Sequence, residues 1–475
     1  MHACLMWRMT KRHIFRLASR IGLATLLVVI GAGTASAVGP APGPVQAAAL
    51  GARAFIYGNP LLELLRVRDT ATSVPCPDDR GLAPVNAISS RPAFIAPDEK
   101  LVVAPNVDTL YSMAHLDLSD GPVVLSHPDM GDRYFNFQLM DSYTNVVGYV
   151  GSRTSGSDAG KFAITWSGAP GPEVPGVTTI TVSDSRIWLL GRTLAGDEAD
   201  RADAFALMSQ YTVTPPAGPQ TFTDCAPFVP VEPPKPEGTA LLDAISAAME
   251  QNPPPIRDAA ELAELARIGV GPGLRVADAG LSPVAFRALD QAVRAAESSL
   301  PAVVSGSQYA GALRSQGWSS PPDTIGDYGT DYVTRAGVAE IGLGANTPQE
   351  AAYVTALLDR NGLPLNGANS YRLHFPPGGQ PPADAFFSIT VYDGDGFLPS
   401  VPGNRHSISD SRPGLVYQPD GSLDMVFSRE DPGVPGANWL PLPDGSFRVY
   451  LRMYVPGSAV LDGSWSPPGI ERWNR

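Results

Sequence analysis

Glycine and proline interrupt this chain too often for long regular elements to dominate it. Each contributes 48 of the 475 residues. Proline cannot donate a backbone hydrogen bond and glycine favours tight turns, so the elements between them are expected to be short. This pattern predicts turn-rich β structure rather than a helical bundle.

Apolar spacing assigns strands to two regions of the chain, with helices between them. The predicted strands cover residues 101–103, 134–139, 145–150, 162–166, 178–182 and 186–190, then 371–375, 386–392, 423–427 and 447–454. Helical spacing occurs at residues 45–68, 197–211, 241–249, 259–268 and 283–300. The sequence therefore predicts an α+β multidomain fold with two β-sandwich or jelly-roll-like portions and a helical middle segment.

Proline also suggests where these regions begin and end. Gly58-Asn59-Pro60 predicts a break that divides the first helical stretch into two short helices. The most proline-dense segment, residues 215–238, indicates a linker. We therefore expect a domain of short helices and a β-sandwich at 38–214, a helical segment at 239–345 and a β domain at 346–475.

The N-terminus has the pattern of a cleaved export signal. Five basic residues precede or flank an apolar run at 21–30, which is followed by Ala35-Ser36-Ala37. Small residues before the cleavage position are what a signal peptidase requires. An apolar run of about ten residues is too short to span a bilayer as a helix. The sequence predicts a signal peptide at 1–37, cleavage near Ala37, and a mature protein that is secreted or held in the cell envelope.

The chain is acidic, with 34 basic residues, 47 acidic residues and a net charge of −13. The predicted leader holds five of the basic residues and no acidic one, so its removal takes the net charge to −18. Such a surface repels phosphate backbones and anionic lipid headgroups, which argues against nucleic-acid and membrane-surface partners. No later apolar stretch is long enough for a membrane span. A small-molecule ligand and a homo-oligomer both stay open.

Two cysteines, Cys76 and Cys225, remain after the predicted leader. Both lie in proline-rich loops, and an even pair in an exported chain favours one disulfide. A metal site is the alternative, although no histidine lies near either cysteine in the sequence.

Polar and aromatic residues are concentrated near predicted strand ends between positions 106 and 192. A carboxylate pair at Asp108 and Asp141 has the chemistry of a general acid and base, and Tyr111 is grouped with them as a catalytic candidate. The candidate substrate-binding residues of this block are Asn106, Asn145, Arg153 and Arg192. The alternative is structural, because Asn and Asp cap turns at strand ends and Arg pairs with Asp.

A second polar block begins at residue 369. Arg372 and His374 have the same strand parity, so their side chains are expected on one face of a sheet. Histidine exchanges protons near neutral pH, which makes His374 and His406 candidates for catalysis. We group Arg372 and His374 as substrate-binding residues, with a structural hydrogen-bonding role as the alternative.

Several common catalytic signatures are missing from the sequence. There is no Gly-x-Ser-x-Gly motif, phosphate-binding loop or dinucleotide fingerprint. The four histidines after residue 37 are far apart and form no i, i+4 pair, which argues against a zinc protease. The sequence therefore predicts no metal and no cofactor.

The same polar blocks carry a family resemblance. The chain resembles a bacterial family that joins two domains of unknown function, DUF1254 followed by DUF1214. The matching segments are AFIYGNPL at 54–61, PNVDTLY at 105–111, DSYTN at 141–145, GRT at 191–193, YRLHFP at 371–376, FFSITVYD at 386–393, NWLP at 438–441 and RMYVP at 452–456. The resemblance implies helical and jelly-roll-like portions, and it implies no activity.

Three functions are consistent with these observations. The first is an exported hydrolase or lyase acting on a small or saccharide-like molecule at the first polar block. The second is an extracellular ligand-binding protein without catalysis, since jelly rolls support both classes. The third is a structural or assembly module in which the polar residues hold the fold together.

Overall fold

The computed structural model describes residues 40–100, 103–231, 234–435 and 437–473. The predicted signal peptide and its cleavage position lie outside the described residues, as do two residues of the strand predicted at 101–103. The chain forms two compact units. The first contains the described residues up to Leu62 together with Pro227–Ser298, and the second contains Glu63–Ala226 and the residues from Ser299 onward.

The α+β fold predicted from the sequence is confirmed. The helices are α1 (Pro44–Thr72), α2 (Glu198–Met208), α3 (Thr239–Gln251), α4 (Ala259–Leu265), α5 (Pro283–Arg314), α6 (Tyr332–Ile341) and α7 (Ser458–Leu461). Among the residues described, no helix combines the length and apolar character needed to cross a membrane.

The predicted break at Gly58-Asn59-Pro60 is wrong, because α1 continues through all three residues. Proline inside a helix costs about 3 kcal/mol, so packing must offset the lost hydrogen bond. Gly58 lies so close to Ile245 of α3 that a Cβ atom would approach it to 2.3 Å. Lys235 Nζ also donates to Asn59 Oδ1 at 3.0 Å. Tertiary contacts within the first unit thus override the local signal.

In the part of the chain that the structure describes, the strands of the second unit form four sheets. In the N-terminal half they are β1 (Ile88–Ser90), β2 (Thr109–Asp117), β3 (Val123–His127), β4 (Phe135–Met140), β5 (Val146–Gly151), β6 (Gly160–Trp166), β7 (Thr178–Val182), β8 (Arg186–Leu194) and β9 (Thr212–Thr214). In the C-terminal half they are β10 (Trp318–Ser319), β11 (Ala351–Ala356), β12 (Tyr371–Phe375), β13 (Ala383–Asp393), β14 (Ser407–Ser409), β15 (Leu423–Ser428), β16 (Asn438–Pro441), β17 (Phe447–Pro456) and β18 (Glu471–Arg472).

Two sheets from the N-terminal half make the first sandwich. Sheet I has the order β1-β2-β8-β4-β5, and sheet II has the order β7-β6-β3-β9. Among the strands described in these two sheets, all pairs are antiparallel except β6 with β7. Alternate apolar residues of sheet I face sheet II and form a continuous core, including Leu110, Leu116, Phe135, Phe137, Leu139 and Leu189. This burial of alternate residues fixes the register of sheet I.

The second sandwich is built in the same way. Sheet III has the order β10-β11-β17-β13-β14, and sheet IV has the order β16-β15-β12-β18. Its core includes Tyr371, Leu373, Phe387, Ile389, Val449 and Leu451. Only β15 with β16 is a parallel pair among the described strands of these two sheets.

The outer faces of sheets I and III meet inside the second unit. Tyr134, directly before β4, packs its ring against Phe386 and Tyr454, with ring centres 5.6 Å and 5.3 Å apart. Strand β4 is buried along its whole length, which requires cover on both of its faces. The apolar residues of each sheet form the core on its inner face. The side chains on the outer faces, between sheets I and III, are mainly polar or aromatic.

Cys76 and Cys225 form a disulfide, as the sequence predicted. Their Cα atoms are 5.4 Å apart and the residues are 149 positions apart in the chain. The bond holds two proline-rich loops of the second unit together.

Candidate functional site

Two arginine and seven tyrosine side chains occupy the space between sheets I and III. We call this group the arginine–tyrosine cluster; its members are Tyr111, Tyr134, Tyr149, Arg192, Tyr353, Tyr392, Tyr450, Arg452 and Tyr454. Strand alternation places them together, because residues of one parity in each sheet form the inner core and the others point away from it.

Arg192 lies on β8 and is only 5 % exposed. Its guanidinium donates to Gln138 Oε1 at 2.9 Å, Asn346 Oδ1 at 3.1 Å and the Gly344 carbonyl at 2.5 Å. The guanidinium carbon also lies 5.7 Å from the centre of the Tyr111 ring. Each of these acceptors is a neutral oxygen, so none of them cancels the charge of Arg192.

Arg452 lies on β17 and is 4 % exposed. It donates to the Ala104 carbonyl at 2.8 Å and to Thr390 Oγ1 at 3.4 Å. Its guanidinium carbon lies 5.5 Å and 5.2 Å from the ring centres of Tyr392 and Tyr450. Its hydrogen-bond acceptors are therefore also neutral.

The tyrosines do not supply the missing negative charge. Burial raises the pKa of Tyr134, Tyr149, Tyr392 and Tyr454 above the ordinary value for a phenol. These side chains therefore stay protonated near neutral pH and act as hydrogen-bond donors or as ring surfaces for a cation.

Asp108 lies next to this cluster but is fully buried and already paired. Its carboxylate accepts hydrogen bonds from Ser388 Oγ at 2.5 Å and Ser407 Oγ at 3.1 Å. Arg412 forms an ion pair with it, with Nη2 3.0 Å from Oδ1. The residue thus connects the start of β2 to β13 and β14, and its contacts are those of a structural anchor.

Asn106 connects the same loop to the cluster. Its Nδ2 donates to Tyr454 Oη at 2.5 Å and to Thr109 Oγ1 at 2.9 Å, while its Oδ1 accepts from the Asp108 backbone N–H at 2.7 Å. This network fixes the position of the Tyr454 phenol.

Asp141 sits in a turn after β4 and is 5 % exposed. Its Oδ1 accepts the backbone N–H groups of Tyr143 at 2.9 Å and Asn145 at 2.8 Å, and Asn145 Nδ2 donates to Oδ2 at 2.9 Å. Burial raises the pKa of Asp141 to about 6, and the nearby Asp184 carboxylate adds to this effect. Asp141 therefore caps this turn through its carboxylate, and the Asn145 amide holds the carboxylate in place.

The structure does not bring Asp108 and Asp141 together. Strand β2, which follows Asp108, begins opposite Leu194 of β8, whereas β4 ends opposite Trp188 of the same strand. Six residues of β8 separate these positions, which is about 20 Å at roughly 3.3 Å per residue. The two carboxylates lie at opposite ends of sheet I, so the acid–base pair expected from the sequence is not formed.

Arg153 is anchored at the edge of the cluster. Its Nε donates to Glu350 Oε2 at 2.6 Å, and Glu350 is fully buried. The other oxygen of Glu350 accepts from Tyr134 Oη at 2.7 Å and from Asn136 Nδ2 at 3.0 Å. The Glu350 carboxylate at the edge of the cluster thus has its own arginine partner.

Arg372 and His374 occupy one face of β12, as their parity predicted, but on sheet IV. Arg372 donates from Nε and Nη2 to the two oxygens of Asp424, each at 2.8 Å. His374 Nδ1 donates to Asp424 Oδ1 at 2.7 Å. His406 is separate from this group; it is buried, and its Nε2 bonds the Pro399 carbonyl at 2.8 Å.

A cavity of about 220 Å³ adjoins the Arg372–Asp424 pair. We call it the sheet IV cavity; it is lined by Arg372, Gln418, Asp424, Val426, Val434, Ala437 and Trp473. A second, water-sized crevice of about 10 Å³ lies beside His115 and Trp188. Neither is lined by members of the arginine–tyrosine cluster.

Sequence reasoning missed the contributions of β17 and of the segment before β11. Arg448, Tyr450, Arg452 and Tyr454 alternate along β17, and this period of two could have indicated a shared polar face. Asn346 carries no comparable signal, because it acts from an irregular segment. Among the residues described, no group of three or more His, Cys, Asp or Glu side chains is placed to hold a metal ion.

Comparison with known proteins assigns the chain to a family. A model described as "Protein of unknown function (DUF1254)" matches residues 85–215, and one described as "Protein of unknown function (DUF1214)" matches residues 350–458. The chain belongs to the DUF1254–DUF1214 family. The first match contains Arg192 and the second contains Arg452, so the cluster of this DUF1254–DUF1214 protein is shared between its two domains.

Two solved structures are similar to this chain, and the first of them supports the fold. The VPA0106 protein from Vibrio parahaemolyticus is 23% identical, with a TM-score of 0.65 over 90% of this chain and 100% of that chain. An uncharacterized protein from Burkholderia cenocepacia is 12% identical, with a TM-score of 0.43 over 89% of this chain and 88% of that chain. The similarity to VPA0106 shows that the two proteins share a fold over nearly the whole of this chain. A comparison with curated proteins finds no match.

Proposed function

We propose that this DUF1254–DUF1214 protein is an exported binding protein that holds a small anionic molecule at the arginine–tyrosine cluster. The observation that carries the proposal is the charge of Arg192 and Arg452. Both are more than nine-tenths buried, and all their hydrogen-bond acceptors are neutral. Within the described residues, neither arginine forms an ion pair.

A buried charge without a partner is costly, so an external anion would stabilise this arrangement. Asp108 is near enough to attract Arg452, but its direct ion pair is with Arg412. Glu350 is likewise paired with Arg153. The chain as a whole has a net charge of −13, but this cluster has two more arginines than carboxylates to pair with them. The local excess of positive charge favours a negatively charged ligand.

The surrounding rings favour a carboxylate attached to a flat or aromatic group. Tyr111, Tyr149, Tyr353 and Tyr450 are each partly exposed, so solvent reaches the edge of the cluster. Phenols supply hydrogen bonds to an anion and a rigid surface for a ring. A bidentate guanidinium matches the geometry of a carboxylate.

Binding is better supported than hydrolysis or elimination. An acid–base mechanism at the first polar block needs two carboxylates near one substrate, and Asp108 and Asp141 lie at opposite ends of sheet I. Export is supported by the leader pattern in the sequence and by the Cys76–Cys225 disulfide, because such bonds persist in oxidising compartments.

The test is a thermal-shift comparison of benzoate with benzamide. The two molecules have similar shape and differ in charge, so we expect benzoate alone to raise the melting temperature. Mass spectrometry of recovered benzoate should show no chemical change. Equal shifts with both compounds, or no shift with benzoate, acetate or phosphate, would refute anion binding.

A further inference from the structure

We propose that the sheet IV cavity is a second ligand site, and that it takes an uncharged, pyranose-sized saccharide. The proposal is independent of the anion site, because none of the cavity residues belongs to the arginine–tyrosine cluster. The argument rests on the cavity's size, on a floor and one wall fixed by sheet IV, and on the balance of charge in its lining.

The floor and one wall of the cavity are fixed by regular structure. Val426 of β15 pairs with Arg372 of β12 across sheet IV and is 3 % exposed, so it lies under the other lining residues. Trp473 follows directly after β18, which pairs with the opposite edge of β12. The backbone N–H of Trp473 also donates to the Ser370 carbonyl at 2.9 Å. These bonds position an aromatic wall beside an apolar floor.

The polar edge of the cavity carries no excess charge. Arg372 and Asp424 neutralise each other through two hydrogen bonds of 2.8 Å. His374 Nδ1 is held by the same carboxylate at 2.7 Å. The Arg372 side chain is nevertheless 40% exposed, so it presents N–H groups towards solvent. An anionic or cationic ligand would have to compete with this internal pair.

A saccharide fits this combination of surfaces better than other small molecules. One face of a pyranose ring is apolar and can stack on Trp473, while its hydroxyl groups can bond Asp424, Arg372 and Gln418 around the rim. A plain hydrocarbon would leave the Arg372–Asp424 edge without hydrogen bonds. The volume of about 220 Å³ is below the roughly 300 Å³ at which pockets for drug-sized ligands begin, which points to a single ring.

The test is calorimetric titration of the purified protein with glucose, mannose, galactose, xylose and N-acetylglucosamine. We expect at least one of these sugars to bind with a Kd of about 1 mM or lower. Cyclohexanol, which offers a ring without the hydroxyl pattern, should bind at least tenfold more weakly. Glucuronate should not bind more tightly than glucose.

Two variants place the binding in this cavity. Trp473→Ala removes the stacking wall and should weaken sugar binding at least tenfold. Asp424→Asn keeps the shape of the side chain and should weaken binding about fivefold by altering the polar edge. The matched control Asp462→Asn changes an exposed turn near the C-terminus and should leave sugar binding unchanged. Circular dichroism of each variant confirms that it is folded.

The outcomes separate the two proposed sites. Loss of sugar binding in Trp473→Ala with unchanged binding in Arg192→Gln supports a distinct saccharide site. No binding of any of the five sugars to the wild-type protein overturns the proposal, as does unaltered binding in folded Trp473→Ala and Asp424→Asn. Tighter binding of glucuronate that depends on Trp473 would show that the cavity selects an anion instead.

Discussion

The fully buried Asp108 and the partly buried Arg412 form an ion pair that joins the first β-sandwich to the second, with Oδ1 and Nη2 3.0 Å apart. Removing Asp108 leaves the Arg412 charge without its partner inside the protein. We expect Asp108→Ala to lower the free energy of unfolding by about 3–5 kcal/mol. Urea denaturation followed by circular dichroism measures this change.

The exposed pair of Glu198 and Arg201 provides a matched control for Asp108→Ala. Solvent screens this pair, so Glu198→Ala should change the free energy of unfolding by less than about 1 kcal/mol. Similar losses in the two variants would contradict the anchoring role of Asp108.

The Cys76–Cys225 disulfide restrains a loop of about 150 residues in the unfolded chain. Its removal in the Cys76→Ser and Cys225→Ser double variant should lower the free energy of unfolding by up to about 4–5 kcal/mol. Dithiothreitol should destabilise the wild-type protein by a similar amount and leave the double variant unaffected. Equal sensitivity of both proteins to the reductant would argue against a stabilising bond.

His115 should make the fold sensitive to acid. Burial lowers its pKa to about 3, and the neighbouring Arg68 charge lowers it further. Below about pH 6.5 the His115 imidazole binds a proton in the unfolded chain but not in the native protein. The contribution of His115 to the free energy of unfolding is therefore fully present above about pH 6.5 and is lost as the pH falls. A pKa shift of this size corresponds to a loss of about 4–5 kcal/mol in the free energy of unfolding by pH 3.

His115→Phe tests this pH dependence. Phenylalanine keeps a ring to stack on Trp188 and carries no proton to exchange. It also loses no hydrogen bond at Nε2, which has no partner in the described part of the chain. The stability of the variant should therefore fall less steeply between about pH 6.5 and 4. Parallel stability curves for the two proteins would contradict the burial argument.

Asp141 should act in the opposite direction. Burial raises the pKa of Asp141 to about 6. The carboxyl group therefore stays protonated in the native protein over a pH range in which it is already ionised in the unfolded chain. The contribution of Asp141 to the free energy of unfolding is therefore largest below about pH 4. As the pH rises through about 6, roughly 3 kcal/mol of it is lost.

The Asp141→Asn variant is always neutral at this position, so it should become more stable than the wild-type protein as the pH rises from about 4 to 7. The unpaired Oδ1 of Asn145 can accept a hydrogen bond from the new amide after the Asn145 amide turns over. Thermal melts across this pH range test the prediction, and a stability difference that does not change with pH would refute it.

Local pattern was enough to locate many elements but not their distant partners. The strands at Thr178–Val182 and Tyr371–Phe375 have the bounds that the sequence predicts, because alternation and turn residues act over a few positions. Parity alone also placed Arg372 and His374 on one face. By contrast, the hydroxyl groups that bind Asp108 are 280 and 299 residues away in the chain.

Errors in the sequence-based interpretation arise where tertiary packing decides the outcome. The helix through Gly58 and Pro60 is held by contacts with Ile245 that no local propensity encodes. Asp108 and Asp141 both follow the expected pattern of residues at strand ends, but they lie at opposite ends because β2 and β4 run in the same direction on either side of β8. Strand direction was the missing information.

The most direct test of anion binding is calorimetric titration of benzoate into the wild-type protein, Arg192→Gln and the control Arg201→Gln, whose side chain is partly exposed. Loss of a buried charge partner costs about 2 kcal/mol or more, so Arg192→Gln should weaken benzoate binding at least thirtyfold, while Arg201→Gln should bind as the wild type does. Equal affinity in folded Arg192→Gln and wild-type protein would contradict the assignment of Arg192 as the anion-binding residue.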